Sequence, residues 1–472
     1  MTYDKNRCAQ LLCFCRRVAE LYEANTGKNF SSLRQSARTQ QSGNTFNVFA
    51  EAVKEICNIS SELYGYVNVN RRWDEMSCAD IEAFSKCLKY SLRDEFLLVR
   101  YEETEIWGNS AFRDVKDIWS IYNGLLQECR SSVINLESME YALLPFAKFR
   151  NLNESPEYSV EAVKERIEAA QTVEFSEKLD GSFMQMRFIG DSRFQDGIIV
   201  SSSGSLDTKK SWQLADVLKF MRQPTEKQQE FGREKIAVNI KTMLSSEPDI
   251  TFIFEWISDN DPHVVSYPDS MKGLHLVGMR NVKTGCQFSY RQVIETAQQY
   301  DVPTVSLYSM NLSEILSKVR ELRGTEHEGY VLNVDGFLVK IKCPDFLKLM
   351  RSVDLSQSFN TIVKYTAEGK IDDFISMLPV DFQPDAKVKL RKLMTYVKDV
   401  TDCVEDEYEK LPLDADRKEV MLAINGIENK VIRDFVRAKY LGKPLEIIAK
   451  NKNGTLQYIK EADIDSFYNN PR

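Results

Sequence analysis

The sequence predicts an α+β protein, with a central region of largely antiparallel sheets flanked by helices, a helical N-terminal extension and an all-helical C-terminal domain. Three observations carry this expectation. Apolar residues recur at helical spacing before residue 90, short β-rich runs fill the stretch from Glu95 to about Ile341, and strand signals nearly vanish after Cys343-Pro344. The chain of 472 residues is long enough for two or three domains, and the expected divisions are 1–90, 91–349 and 350–472.

In the first segment Leu11, Leu12, Cys15, Val18, Ala19 and Tyr22 mark one helix that stops before Gly27, and Phe46, Phe49, Val53, Ile56 and Leu63 mark another. The Ser/Gln/Arg/Thr-rich stretch Ser31 to Asn44 between them reads as a loop. Ser77 caps a third expected helix running past Phe84 and Leu88. Strands are expected at Phe96–Tyr101, Ser182–Phe188, Gly197–Ser201, Thr251–Ile257, Leu274–Met279, Tyr330–Val334 and Phe337–Ile341. Helical patterns interrupt them after Ser155-Pro156 through Ala169 and around Trp212 to Met221. Leu390, Leu393, Met394, Val397, Val404 and Tyr408 then mark a long amphipathic helix, and Val420, Ile424, Ile427, Val431, Phe435 and Val436 mark another.

Composition narrows the class. A 43% hydrophobic fraction with 28% charged residues and 13 prolines fits a folded globular protein. The apolar run Leu11 to Cys15 is followed at once by Arg16-Arg17, far too short for a membrane span, so no membrane partner and a cytoplasmic location are expected. Ten scattered cysteines without a C-x-x-C pair, beside three histidines, read as free thiols in a reducing compartment and leave little material for a zinc site. The formal net charge of −8 argues against a protein that coats nucleic acid indiscriminately. Residues 1–90 carry 12 basic and 10 acidic side chains, so the acidic excess lies beyond them and any phosphate site must be built from placed lysines and arginines.

The most informative run is Glu177-Lys178-Leu179-Asp180-Gly181-Ser182, with β-like segments on both sides. A lysine entering a strand-turn-strand beside Asp and Gly can project its amine into a pocket, while the glycine admits a ligand close to the backbone. Downstream come Ser201-Ser202-Ser203-Gly204-Ser205, an acid in an otherwise apolar strand (Phe254-Glu255-Trp256), Glu328-Gly329-Tyr330, and Lys340-Ile341-Lys342. Lys340 and Lys342 alternate on a strand, so both face one way. A carboxylate placed like Glu255 needs a cation or a hydroxyl as partner.

This ordered set resembles the covalent nucleotidyltransferase superfamily of ATP-dependent ligases and capping enzymes. With Glu128-Cys129-Arg130, Lys148-Phe149-Arg150-Asn151-Leu152-Asn153-Glu154 and the Lys-x-Lys-Cys-Pro-Asp-Phe run, it is similar to the phage-type RNA ligase 1 family, the tRNA-repair ligases of T-even phages. The resemblance covers roughly residues 95–440 and leaves out residues 1–90. It implies a nucleotidyltransferase fold and ATP-dependent joining of RNA 5′-phosphate and 3′-hydroxyl ends through a lysyl-AMP on Lys178. It also implies that Glu177, Gly181, Glu255, Glu328, Lys340 and Lys342 line the nucleotide pocket. Arg130 and Lys148 would meet polyphosphate or the RNA 5′-phosphate, and Phe346 takes an aromatic position just beyond the double-lysine motif. Asp180, Glu255 and Glu328 would hold Mg²⁺, with Mn²⁺ as the alternative, mostly through its waters. A neutral amine near pH 7 requires about 4–5 kcal/mol of pKa depression for an ordinary lysine, which Lys340 and Lys342 are expected to help supply to Lys178.

Two departures stand out. The family's Lys-x-Lys-Gly run is Ser201-Ser202-Ser203-Gly204 here, leaving Lys209 and Lys210 as candidate replacements for the charge, and its Asn-Arg before Ile-Val is Asp261-Pro262-His263-Val264. A DNA ligase or capping enzyme shares the lysine motif, and a non-catalytic RNA-binding relative would share the fold. The helices after Lys342 count against the first, and the intact motif residues count against the second. The expected partners are single-stranded RNA ends or a nicked tRNA anticodon loop. Since no P-loop occurs in the chain, a separate kinase/phosphatase that heals 5′ ends is expected as well.

Overall fold

The computed structural model describes residues 10–30, 52, 55, 67–222, 233–452 and 455–469. The expected helix over Phe46 to Leu63 and the loop Ser31 to Asn44 fall almost wholly outside them. The chain divides into two compact units, Met1–Cys343 and Pro344–Arg472.

In the first unit, the helix Gln10–Thr26 buries Leu11, Phe14, Cys15, Val18 and Tyr22 and ends at Gly27, whose φ of +66° suits glycine. Ser77 caps the helix Cys78–Ser85 in a box with Asp80. That helix stops short of Leu88, which instead opens β1 (Leu88–Arg93), followed by β2 (Phe96–Tyr101), β3 (Arg130–Asn135) and β4 (Glu140–Leu143). These four strands form one antiparallel sheet in sequence order. The N-terminal helix is no separate extension. Its apolar face shares one core with Phe84, Tyr90, Leu97, Val99, Tyr122 and Leu126, so residue 90 marks no break in packing.

Two further sheets build the centre. The strands β5 (Arg150–Asn151), β6 (Val173–Lys178), β7 (Ser182–Phe188), β8 (Ile198–Ser202), β9 (Ile250–Ile257), β10 (Gly273–Asn281), β11 (Leu307–Tyr308), β12 (Gly329–Val334) and β13 (Phe337–Lys342) follow in the chain. One sheet has the order β10-β9-β7-β8 and is antiparallel throughout; the other has the order β11-β6-β12-β13-β5, with only β13 and β5 parallel. The helices Trp212–Arg222, Arg233–Ser246 and Tyr290–Gln299 lie against the first of these through a core that includes Met184, Phe252, Phe254, Trp256 and Val293. Between the central sheets Phe146, Phe149, Leu179, Ile253, Val331 and Leu338 form the apolar layer beneath the site. Ser159 caps the helix Val160–Ala169, and Pro156–Tyr158 before it forms a separate turn of 3₁₀-helix.

The second unit packs the helix Gln383–Glu409 through Leu393, Tyr396, Val400 and Val404 against Arg417–Asn425 and Lys430–Tyr440. The single helix expected from Val420 to Val436 is two, because Asn429 recaps the chain by accepting from the Val431 and Ile432 N–H groups. The unit is not all-helical either. β14 (Ala449–Lys452) and β15 (Thr455–Tyr458) pair as a hairpin. No helix among the described residues is long and apolar enough to cross a membrane. All the described cysteines are free, with Cys15, Cys87, Cys129 and Cys343 buried but Cys286 and Cys403 exposed.

Gly278 sits at the register shift of β10, and a Cβ built there would lie 1.9 Å from the Phe146 ring. Gly278→Ala should therefore destabilise the protein by about 1–3 kcal/mol through overpacking, read as a lowered midpoint in urea unfolding with an unchanged slope.

Candidate active site

Lys178 is the last residue of β6 and Lys342 the last of β13, and both are in register with Gly329, the first residue of the strand between them. The residue before that glycine is Glu328. Its carboxylate is buried and divided between the two ammonium groups: Oε2 accepts from Lys178 Nζ at 2.6 Å and Oε1 meets Lys342 Nζ at 2.9 Å. Only glycine fits at 329, where φ is +142° and a Cβ would stand 2.2 Å from the Ile341 carbonyl oxygen.

The turn after Lys178 is held just as closely. Glu255, on β9, accepts from the Gly181 N–H at 3.1 Å, and a Cβ on Gly181 would come within 2.7 Å of the Trp256 carbonyl oxygen. The Asp180 N–H donates to the Tyr267 hydroxyl at 2.8 Å, its Oδ2 accepts from the Val265 N–H at 3.0 Å, and its Oδ1 faces His263 Nδ1 at 3.6 Å. The other ring nitrogen of His263 lies 3.4 Å from Asp261, which accepts a hydrogen bond from Ser182. Burial works to lower the His263 pKa, but Asp180 and Asp261 outweigh it and raise it to about 10. The Asp261-Pro262-His263 departure is thus a cationic clasp on the Asp180 turn.

A second group of cations gathers around Phe149. Lys340 Nζ lies 4.7 Å from the centre of that ring and the Arg130 guanidinium 5.3 Å from it, while Lys148 sits over the Tyr101 and Trp119 rings. Burial first, then the charges of Arg130, Lys178, Lys148 and Lys342, push the Lys340 pKa down to about 6. Arg130 Nη1 is buried with no hydrogen-bond partner among the described residues, which fits a place for an anion. Ser203 is exposed, and its carbonyl accepts from Ser131, the neighbour of Arg130.

Several expectations change here. Burial lowers the Lys178 pKa, but Glu328 above all, with Glu255 and Asp180, raises it above its ordinary value, so the double-lysine motif does not leave this amine neutral. The depressed lysine is Lys340. Glu177 lies on β6 beside the pocket residues and meets His327 Nδ1 at 3.7 Å. Both carboxylate oxygens of Asp180 face protein groups and both of Glu328 are held by lysines, whereas Glu255 accepts from the Gly181 N–H through Oε1 and has Oε2 to offer a cation. Burial, partly offset by Lys178, raises Glu255 to about 7, the condition of a carboxylate that lacks a full counter-charge and suits a divalent cation with oxygen ligands. Among the described residues no three His, Cys, Asp or Glu side chains converge closely enough to grip a metal directly. His263, Tyr267 and the ring of Phe149 were not assigned roles from the sequence. The histidine's place in the departure from the family pattern was the one available signal.

Loss of the clasp should loosen the Asp180 turn without unfolding the sheets. His263→Ala is expected to slow covalent labelling of Lys178 by roughly tenfold, the scale of one hydrogen bond to a charged group. His263→Gln should recover part of that rate, measured as incorporation of labelled AMP.

The family described as RNA ligase matches residues 128–346, just under half of the chain. Among solved structures, an archaeal ATP-dependent RNA ligase is 15% identical, over 84% of this chain and 95% of its own, with a TM-score of 0.38. A mutant RNA ligase of Naegleria gruberi, with ATP and Mn, is 14% identical over 44% of this chain and 58% of its own, with a TM-score of 0.32. No curated protein matches. The two structural likenesses are loose, and the assignment rests on the family match. The matched stretch runs from Glu128, two residues before the β3 arginine, to Phe346 beyond Lys342, and over it the chain is similar to the RNA ligase family.

Proposed function

We propose that this protein is an ATP-dependent RNA ligase that seals a 5′-phosphate to a 3′-hydroxyl in three steps. The observation that carries the reading is the Lys178–Glu328–Lys342 bridge beside a second cluster of cations, which sets an amine and a phosphate-binding surface side by side. In the first step the Lys178 ammonium gives up a proton, for which Glu328 Oε2 at 2.6 Å is the nearest acceptor. The amine then forms a bond to the α-phosphorus of ATP, the bond to the bridging oxygen breaks, and pyrophosphate leaves. In the second step an oxygen of the RNA 5′-phosphate displaces Lys178 from that phosphorus. In the third, the 3′-hydroxyl attacks the activated 5′-phosphate and AMP departs.

Charge grows on phosphate oxygens in every step, and Lys340, Lys342, Arg130 and Lys148 are the side chains placed to stabilise it. Burial and the neighbouring cations hold the Lys340 pKa near 6, and an arriving phosphate would raise it and let the amine take up a proton. Glu255 would hold a divalent cation, Mg²⁺ in this reading or Mn²⁺, with Asp180 and Glu328 contributing through its waters. When bound, that cation supplies further charge stabilisation at the α-phosphate.

The roles of the units follow from where the motifs end. The nucleotide site lies within the first unit, so the helical second unit is assigned to RNA selection, with broken tRNA as the candidate substrate. The chain has no P-loop, so an end-healing kinase/phosphatase would act before it.

Lys178→Ala should abolish the covalent AMP adduct and the sealing of 5′-phosphate RNA, while sealing of chemically pre-adenylylated RNA survives at least in part; gel assays of both substrates decide this. The purified chain should leave 5′-hydroxyl RNA unjoined, and joining of such ends would count against the need for a healing partner.

A further inference from the structure

Trp212 has 48% of its surface exposed, on the first turn of the helix Trp212–Arg222, and only the buried Ser211 separates it from the exposed lysines Lys209 and Lys210. A side chain of that size in water forgoes much of its burial energy. The segment that presents it is not loose. Asp207 accepts from the Lys209 N–H through Oδ1 at 2.9 Å and from the Lys210 and Ser211 N–H groups through its carbonyl at 3.0 and 3.1 Å. Ser211 Oγ in turn caps the helix by accepting from the Leu214 N–H. The two ammonium groups and the indole are therefore presented on a fixed turn, and a ligand would not have to order it.

The same turn is tied to the active-site loop. Gln213 lies near Asp261 and helps lower its carboxyl pKa, and Asp261 accepts from the hydroxyl of Ser182, the residue after Gly181. Asp216, one turn along the helix, accepts from Ser258 Oγ at 3.0 Å and from the Asn260 side chain at 3.4 Å. These contacts tie the helix that begins at Trp212 to the segment Ser258–Asp261 and, through Asp261, to Ser182 after the Asp180 turn. The lysines are exposed, whereas the phosphate-binding cations around Phe149 are partly buried. Ser203, whose missing family charge they would otherwise replace, is tied to the neighbour of Arg130 instead.

We propose that Lys209, Lys210 and Trp212 form a docking surface for an RNA strand on the turn that leads into this helix, with the indole stacked on a base and the lysines neutralising neighbouring phosphates. This rests on the RNA ligase reading above. A chain of net charge −8 has no general attraction for RNA, so affinity must come from local features of this kind. An aromatic face accepts any base, and the surface therefore adds affinity without sequence preference.

The test uses the full chain with a fluorescent 5′-phosphorylated single-stranded RNA, following binding by anisotropy over a series of salt concentrations and self-labelling with AMP in parallel. Trp212→Ala should weaken RNA binding about tenfold, on the scale of one lost stacking contact, while labelling stays unchanged and shows the variant to be folded. Trp212→Tyr should restore most of the affinity. Lys209→Ala with Lys210→Ala should reduce the salt slope by about 1–2 units, the value for two lost phosphate contacts. Unchanged RNA affinity in Trp212→Ala overturns the proposal, as does a wild-type chain with no measurable affinity for the RNA. A double lysine variant that needs more ATP for labelling but binds RNA normally would assign those lysines to the nucleotide instead. Failure of the wild-type chain to take up AMP at all would be a failure of the ligase reading, which the RNA-binding arm does not depend on.

Discussion

The site depends on one buried carboxylate shared by two lysines. Glu328 can reach both Lys178 and Lys342 because three adjacent strands bring their ends together at Gly329, and because residue 329 carries no side chain to force them apart. Two ammonium groups offset the cost of burying one carboxylate, and removal of either would leave charge stranded in a site of low polarity. The rest of the electrostatics follows. With Glu328 engaged, Glu255 accepts from the Gly181 N–H and has a raised pKa, and Lys340 is driven towards neutrality by burial first and then by the charges of Arg130, Lys178, Lys148 and Lys342.

This produces a tension between pKa and position. Judged by basicity alone, Lys340 is the better nucleophile near neutral pH, because its pKa is about 6 while that of Lys178 is raised. Judged by position, Lys178 leads directly into the Asp180-Gly181 turn, which Tyr267, Val265, His263 and Glu255 clasp. Position outweighs basicity here. The Lys178 proton has a short path to Glu328, whereas Lys340 lies over the Phe149 ring beside Arg130, where a phosphate would be held rather than attacked. Binding of nucleotide and cation would add charges beside Lys178 and shift the balance that raises its pKa.

Much of this was legible in the chain because the chemistry lies in short contiguous runs. Lys178-Leu179-Asp180-Gly181, Glu328-Gly329 and Lys340-Ile341-Lys342 each combine a strand end with the residue types its role requires, and alternation along a strand correctly put the two lysines on one face. What stayed hidden depends on cross-strand register. That Glu328 divides itself between two lysines, that His263 and Tyr267 hold Asp180, and that two cations meet at the Phe149 ring are facts of pairing between segments far apart in sequence. The N-terminal helix looked like an extension because its periodicity is local, whereas the core it completes is built from β1, β2 and the loops around Tyr122. The break at Asn429 and the hairpin of β14 and β15 were missed because a continuous apolar period masked a cap in one case, and a short alternating run followed a long helical stretch in the other.

The central claim is that position selects the nucleophile, and mapping the adduct tests it most directly. The wild-type protein would be incubated with ATP and Mg²⁺, quenched, digested at a pH that preserves the phosphoramidate, and its peptides sequenced by mass spectrometry. The account predicts AMP on Lys178 alone. An adduct on Lys340, the lysine with the depressed pKa, would contradict it and make basicity the deciding factor.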